Sequence, residues 1–304
     1  MSLNHKKDFC VAILSHGRPN DQATVKTLEK HGYTGDWFIL LDNEDKSIDE
    51  YVKLYGKDRI SVFNKEDVMK SGEVDAMDNF EIKKTVVYAR IASYKAVKDR
   101  GYKYFMMCED DHDSIRWRMN PEIEYSSAMV SKDPEYNALD KIIDTMLDYF
   151  IANPRIKTLC TAQSGDYIGG KNSKMATDQY RRKAMATFIT RVDDPIDFSG
   201  SMNDDTNAYT RLASIGELML TTGFIAVNTK ETQKNSGGNT DLYSTMGTYV
   251  KSFYSVIGHP SGVKIATLSN NGDRVKRDIF RIHHRVTWRH VAPKIVRESV
   301  RKKI

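Results

Sequence analysis

The stretch Tyr104-Phe105-Met106-Met107-Cys108-Glu109-Asp110-Asp111-His112-Asp113 decides the fold. Five apolar or aromatic residues run into four acids within five positions. A short apolar run closed by a polar cluster reads as a buried strand that ends at a ligand-binding edge. The same pattern occurs twice upstream. Phe9 to Leu14 is an apolar run closed by Ser15-His16-Gly17-Arg18-Pro19, and Trp37 to Leu41 is closed by Asp42-Asn43-Glu44-Asp45. A further strand is expected over 59–63. Helical stretches separate these runs: from caps at Asn20 and Asp21 to about His31, from Ser47 to Tyr55, and one with Val87, Ile91 and Tyr94 on a shared face, stopped by Gly101. Strands alternating with helices imply βαβ units and a mostly parallel sheet. Ligands then bind beyond the carboxyl ends of the strands, so the three polar clusters are expected to converge on one cleft.

The second half is less regular. Leu139, Ile142, Ile143, Met146 and Phe150 mark an amphipathic helix before Pro154. Strands are expected at 156–161, 183–192, 218–227 and 279–288, with helices at 206–214 and 241–257 and a basic terminal helix opened by Pro293. The stretch 163–179 is a polar, Gly-containing loop, and 234–240 is turn-rich. The expected whole is a single α/β domain over 1–304. A Rossmann-like nucleotide-binding half covers 8–113, and a mixed α/β acceptor half covers 114–304.

Bulk properties agree with a globular protein of 304 residues, 40% hydrophobic and 29% charged. No apolar run reaches the length of about 20 residues needed for a membrane span, and Met1 to Asp8 has no signal-peptide core. Cys10, Cys108 and Cys160 have no paired spacing, which suits core thiols in a reducing cytoplasm. The net charge of +5 is uneven. From Arg274 to Ile304 there are eleven Lys or Arg against two acids, which leaves −4 on the remainder. A basic tail on an acidic body suits a polyanionic partner such as nucleic acid or a diphosphate.

Carboxylates at Glu109, Asp111 and Asp113 can hold a hard divalent cation, which neutralises the phosphates of a nucleotide diphosphate. A solvated acidic turn is the plainer alternative. Arg18, beside the flexible Gly17, can contact phosphate or base, and Asp42 can accept from uracil or ribose. Arg90 stands mid-helix among apolar residues and must reach a rim, a partner or a ligand. Asp204 and Asp205 are either a helix cap or a general base that takes the proton of an acceptor hydroxyl. In the alternating run 279–288, Arg281, His283 and Arg285 share one face, which makes His283 the candidate for metal or diphosphate and His284 the one for a core hydrogen bond. Lys171, Arg181, Arg182 and Lys183, with the basic terminal segment including Arg285 and Arg289, can contact a phosphate backbone. Tyr167 and Tyr180 can stack on an extruded base.

In this order, Ser15-His16-Gly17-Arg18-Pro19, Leu41-Asp42-Asn43-Glu44-Asp45, Tyr88-Ala89-Arg90, Cys108-Glu109-Asp110-Asp111-His112 and Asn203-Asp204-Asp205 resemble the GT-A glycosyltransferases. With Ile282-His283-His284-Arg285-Val286-Thr287-Trp288 and Pro293-Lys294-Ile295, the chain is similar to the TET-associated glycosyltransferases of phages, which act on hydroxymethylated pyrimidines in DNA. The resemblance implies Mn²⁺ or Mg²⁺ at Glu109 or Asp111, a UDP-linked sugar as donor, nucleoside contacts from Asp110 and Asp42, and donor contacts from Ser15, Gly17, Arg18 and Arg90. The acidic run begins with Glu rather than Asp, which leaves open which carboxylate meets metal. Three other readings remain at this level. A sugar nucleotidyltransferase would want a Gly- and Lys-rich phosphate loop that 15–20 lacks. A non-DNA glycan acceptor and a non-catalytic DNA-binding protein complete the set.

Overall fold

The computed structural model describes residues 3–72, 74–78, 85–118, 122, 139–230, 247, 249–269 and 280–292. The expected turn-rich break at 234–240, most of the N-terminal part of the helix expected at 241–257, and the basic helix after Pro293 lie outside the described residues.

Ten strands and nine α-helices are described. The strands are β1 Phe9–Leu14, β2 Asp36–Asp42, β3 Ile60–Phe63, β4 Tyr104–Glu109, β5 His112–Trp117, β6 Ile156–Gln163, β7 Phe188–Arg191, β8 Leu218–Thr229, β9 Val263–Ser269 and β10 Phe280–Val286. The helices are α1 Ala23–Lys30, α2 Ile48–Tyr55, α3 Lys65–Lys70, α4 Val87–Asp99, α5 Leu139–Ala152, α6 Lys174–Thr177, α7 Asp204–Ser214, α8 Lys251–Gly258 and α9 Trp288–Val291.

Eight strands form one sheet in the order β3-β2-β1-β4-β7-β6-β8-β5, and β9 and β10 form a separate antiparallel pair. β1, β2, β3 and β4 are parallel neighbours, as are β6 and β8. β7 runs antiparallel between β4 and β6, and β5 runs antiparallel on the edge against β8. The mostly parallel α/β sheet expected from the alternation of strands and helices is the one present. β7 is shorter than the expected 183–192, because 183–187 runs as irregular chain before the pairing with β4 begins.

Every residue of β1 is buried, as befits a parallel strand covered on both faces. The period of two sends Phe9, Val11 and Ile13 to one core with α1, α2 and α5, while Cys10, Ala12 and Leu14 face the other with α4, α7 and α9. Cys10, Cys108 and Cys160 are free and buried in these layers, and burial pushes all three thiols up, that of Cys160 to about 12. Among the described residues no helix is long and apolar enough to cross a membrane.

Candidate active site

Because β1, β2 and β4 are parallel neighbours, their carboxyl ends emerge on one edge of the sheet. The three polar clusters interlock there. The Ser15 hydroxyl donates to Asp110 at 2.5 Å, and Arg18 Nη1 donates to the other oxygen of Asp110 at 2.9 Å. The buried Tyr51 of α2 braces this turn: its hydroxyl lies 2.8 Å from the Ser15 Oγ and accepts from the Arg18 amide at 2.8 Å. Gln22 donates to the Ser15 Oγ and to the Arg18 carbonyl. Burial raises the Asp110 carboxyl to about 6, against the lowering pull of Arg18 and Ser15.

The backbone of the acidic turn is pinned from two sides. Thr24, in the first turn of α1, donates through its hydroxyl to the Glu109 carbonyl and through its amide to the Asp110 carbonyl. The Lys230 amide, just past β8, donates to the Asp111 carbonyl at 3.0 Å, while the Lys230 ammonium pairs with Asp21. With the chain held this way, the Asp111 side chain is left with a buried Oδ1 that no group among the described residues satisfies, and Arg18 keeps a buried Nε–H in the same condition. Burial, then the charges of Glu109 and Asp110, push Asp111 up to about 7.

Asp42 behaves differently from expectation. Its Oδ2 is 2.6 Å from Nδ1 of His16 and its Oδ1 accepts from the Glu44 amide, so both oxygens are engaged within the protein. The hydrogen bond to Asp42 raises the His16 pKa despite partial burial. The Gly17 amide donates to Asp45 at 2.7 Å, and Gly17 holds φ +67°, a backbone angle suited to glycine. His16 and Tyr51 are thus the residues at this edge that the sequence pattern does not single out. His16 lies in the turn that closes β1 but has no spacing to mark it. Tyr51 comes from a helix whose contact with β1 is non-local.

Arg90 calls for a correction. It is 2% exposed, and its guanidinium is consumed inside the protein. Nε donates to Asp204 at 2.5 Å and Nη2 to Glu109 at 2.6 Å, while the group lies over the rings of Phe188 and Phe198 at 5.2 and 5.1 Å. A buried arginine must be paired, and this one ties α4 to the tip of β4 and to the start of α7. That leaves it no free face for a donor. Asp204 is corrected with it: the residue lies inside the first turn of α7, buried, as the counter-ion of Arg90. Asp205, half-buried beside it, accepts from the Thr206 amide, and burial with the Asp204 charge raises it to about 6.

The four-member metal set does not assemble. Asp113 is exposed on β5 and accepts from Asn228 and Ser114. His283 lies on β10 with Nδ1 against the neighbouring His284 carbonyl. Among the described residues no three His, Cys, Asp or Glu side chains are arranged to enclose an ion. His284 is half-buried, with Nδ1 3.1 Å from the Asn203 Nδ2 at the cap of α7.

The basic groups belong to other segments. Lys183 is paired with Asp166 at 2.6 Å, Arg182 donates to the Gln179 and Arg181 carbonyls, and Arg181 reaches the Met175 sulfur. Arg285 and Arg289 are exposed, with Arg289 over the Tyr180 ring at 5.9 Å. Lys171 is exposed with Glu122 at 3.5 Å. Tyr180 is exposed, but Tyr167 is buried and donates to the Thr221 carbonyl at 2.7 Å, so it is not available for stacking.

The chain belongs to the TET-associated glycosyltransferase family, whose model matches residues 9–238. It is therefore a glycosyltransferase. No curated protein matches it. Among solved structures, glucosyl-3-phosphoglycerate synthase from Mycobacterium tuberculosis, in complex with Mn²⁺, UDP and phosphoglyceric acid, is 7% identical over 93% of this chain and 90% of that one, with a TM-score of 0.44. A cytidylyltransferase from Leptospira borgpetersenii serovar Hardjo-bovis is 14% identical over 62% of this chain and 61% of that one, with a TM-score of 0.30. Likenesses this distant say nothing of activity.

Proposed function

We propose that the chain moves a sugar from a nucleotide diphosphate donor, UDP-linked, to the hydroxymethyl oxygen of a modified pyrimidine in DNA. The observation that carries the donor half of this reading is the pair of unmatched buried polar atoms on one sheet edge, the Asp111 Oδ1 and the Arg18 Nε–H, while the acceptor half rests on membership of the TET-associated glycosyltransferase family. A buried polar atom without a partner costs free energy, and here one suits a cation and the other an anion. Residues 8–113 supply the nucleotide side, and 114–304 supply the acceptor side.

Glu109 and Asp111 fit a divalent cation, Mn²⁺ or Mg²⁺, because both offer oxygen and Asp111 has an unsatisfied, buried one. When bound, such an ion neutralises the departing diphosphate. Arg18, fixed by Asp110, contacts the donor, with the Ser15–Gly17 turn shaping the backbone around it. Arg90 is a positioning residue that sets Glu109 against α7. Asp205 takes the proton of the acceptor hydroxyl as its oxygen bonds to the anomeric carbon, whose bond to the phosphate oxygen breaks. The raised pKa of Asp205 suits that role near neutral pH. Lys171, Arg181, Arg182, Arg285 and Arg289 lie along the DNA phosphates, and Lys183 acts through its pair with Asp166.

The test is a thermal-shift screen of nucleotide sugars with MnCl₂, followed by mass spectrometry of duplexes carrying 5-hydroxymethylcytosine or 5-hydroxymethyluracil. One nucleotide sugar should stabilise the protein beyond its free nucleotide and leave a hexose or pentose mass on the DNA. Failure of every donor to bind would sink the donor site, and binding without DNA modification would redirect the acceptor to a glycan.

A further inference from the structure

The segment joining β6 to β7 begins on the same sheet edge as the acids. β7 runs antiparallel to both β4 and β6, so β6 is parallel to β4 and ends where β4 ends. Two strand spacings, about 10 Å, separate the two strands. Five residues beyond β6, Ile168 is 74% exposed, the most exposed large hydrophobic side chain among the described residues.

The backbone that presents this side chain is stiff. Tyr167 before it has φ +57°, and Gly169 and Gly170 after it have φ +92° and +58°. The Gly170 amide closes the turn on the Tyr167 carbonyl at 2.8 Å. Tyr167 anchors the turn, with its ring packed on Ala162 and Ala226 and its hydroxyl on the Thr221 carbonyl. A left-handed tyrosine is costly and persists only where the surroundings enforce it. The structure therefore spends backbone strain to hold an isoleucine outward. Being β-branched, that side chain has little rotamer freedom to lose when it enters a partner.

The flanks of the turn are basic. Residues 163–183 contain Lys171, Lys174, Arg181, Arg182 and Lys183 against Asp166 and Asp178. Asp166 is neutralised by Lys183, and Glu122 stands 3.5 Å from Lys171. Lys171 and Lys174 are exposed on the turn of chain that follows Ile168.

We propose that Ile168 is a wedge for duplex DNA, which enters the base stack beside the target nucleotide while the lysines after it hold the phosphates. This rests on the DNA-acceptor reading above. A 5-hydroxymethyl group on a stacked base faces the major groove, and bringing it against side chains recessed in a cleft at a sheet edge requires the base to leave the helix. Apolar wedges unstack a base step, a cost offset by the contacts that the opened duplex gains. A single strand has no stack to open and needs no wedge.

The experiment uses the full chain, the donor found in the stabilisation screen, and one 5-hydroxymethylpyrimidine oligonucleotide offered as duplex and as single strand. Ile168→Ala should lower kcat/KM on the duplex at least tenfold and on the single strand less than twofold, while Ile168→Leu keeps duplex activity. A 2-aminopurine beside the target should brighten when the wild type binds the duplex and stay dark with Ile168→Ala. Equal loss on both forms, or undiminished duplex activity, overturns the wedge. If the wild type modifies neither form, the DNA acceptor itself fails and the wedge fails with it.

Discussion

Replacing Arg90 with methionine removes the cation that joins two carboxylates, Asp204 with 5% of its side chain exposed and Glu109 with 38%. The hydrocarbon of methionine keeps much of the packing against Phe188 and Phe198, so the change isolates the charge. Breaking a buried ion pair from one side costs about 3–5 kcal/mol, because the remaining charge is stranded. At roughly 2 °C per kcal/mol for a chain of this size, Tm should fall by about 6–10 °C. The loss depends on pH with a definite sign. Burial already raises the pKa of Asp204, and Arg90 is the chief influence pulling it down. Without Arg90 the folded-state pKa rises further above the unfolded value. Stability is then retained at low pH, where Asp204 is protonated in both states, and is lost as pH climbs from the unfolded pKa towards the folded one and beyond. Calorimetry at pH 5 and pH 8 should therefore show a smaller deficit in Arg90→Met at pH 5. The double variant Arg90→Met/Asp204→Asn should recover part of the loss at pH 8. A deficit below about 2 °C, or one equal at the two pH values, would refute the assignment of Arg90 as the buried counter-charge.

Protons compete with a cation at Asp111, whose pKa lies near 7, so Mn²⁺-dependent nucleotide affinity should fall about tenfold per pH unit below that point and level off above it; calorimetric titration at pH 5.5, 6.5 and 8 reads this, and a flat profile speaks against Asp111 as a ligand. Tyr51→Phe removes the hydroxyl that holds Ser15 and the Arg18 amide, so urea unfolding should show a loss of about 1–3 kcal/mol with weaker nucleotide binding; unchanged values would mean the turn is held by Gln22 alone. Gly200→Ala drives a Cβ into the Asn207 Nδ2 at φ +86°, so the variant should lose Tm or fail to accumulate folded, and a wild-type Tm would show that the segment ahead of α7 can shift.

Much of the fold was legible because the first half codes it locally. Apolar runs such as Phe9–Leu14, separated by helices with glycine stops, leave little choice but a parallel sheet. β5 escaped notice because His112-Asp113-Ser114-Ile115-Arg116-Trp117 carries mostly polar residues on an edge strand and looks like a continuation of the acidic turn. β9 was hidden for a similar reason, since it pairs only with β10 and has exposed residues throughout much of its length. The antiparallel insertion of β7 depends on which distant strands meet, and no local pattern records that. At the site, the clustering of Ser15, Arg18 and Asp110 followed from strand ends alone. The engagement of Arg90 and Asp42 did not, because a charged residue in a sequence looks the same whether its partner is a ligand or another side chain. Asp204 was ambiguous between cap and base until its distance to Arg90 was known.

Since all three native thiols are shut inside the two core layers and held in their protonated form, maleimide and iodoacetamide reagents have nothing to attack on the folded surface. A single cysteine introduced on the 163–183 segment would thus take a fluorophore or spin label without first stripping the protein of its own sulfur. Distances from such a label to a second one on DNA would test directly, in solution and in real time, whether that segment approaches a duplex.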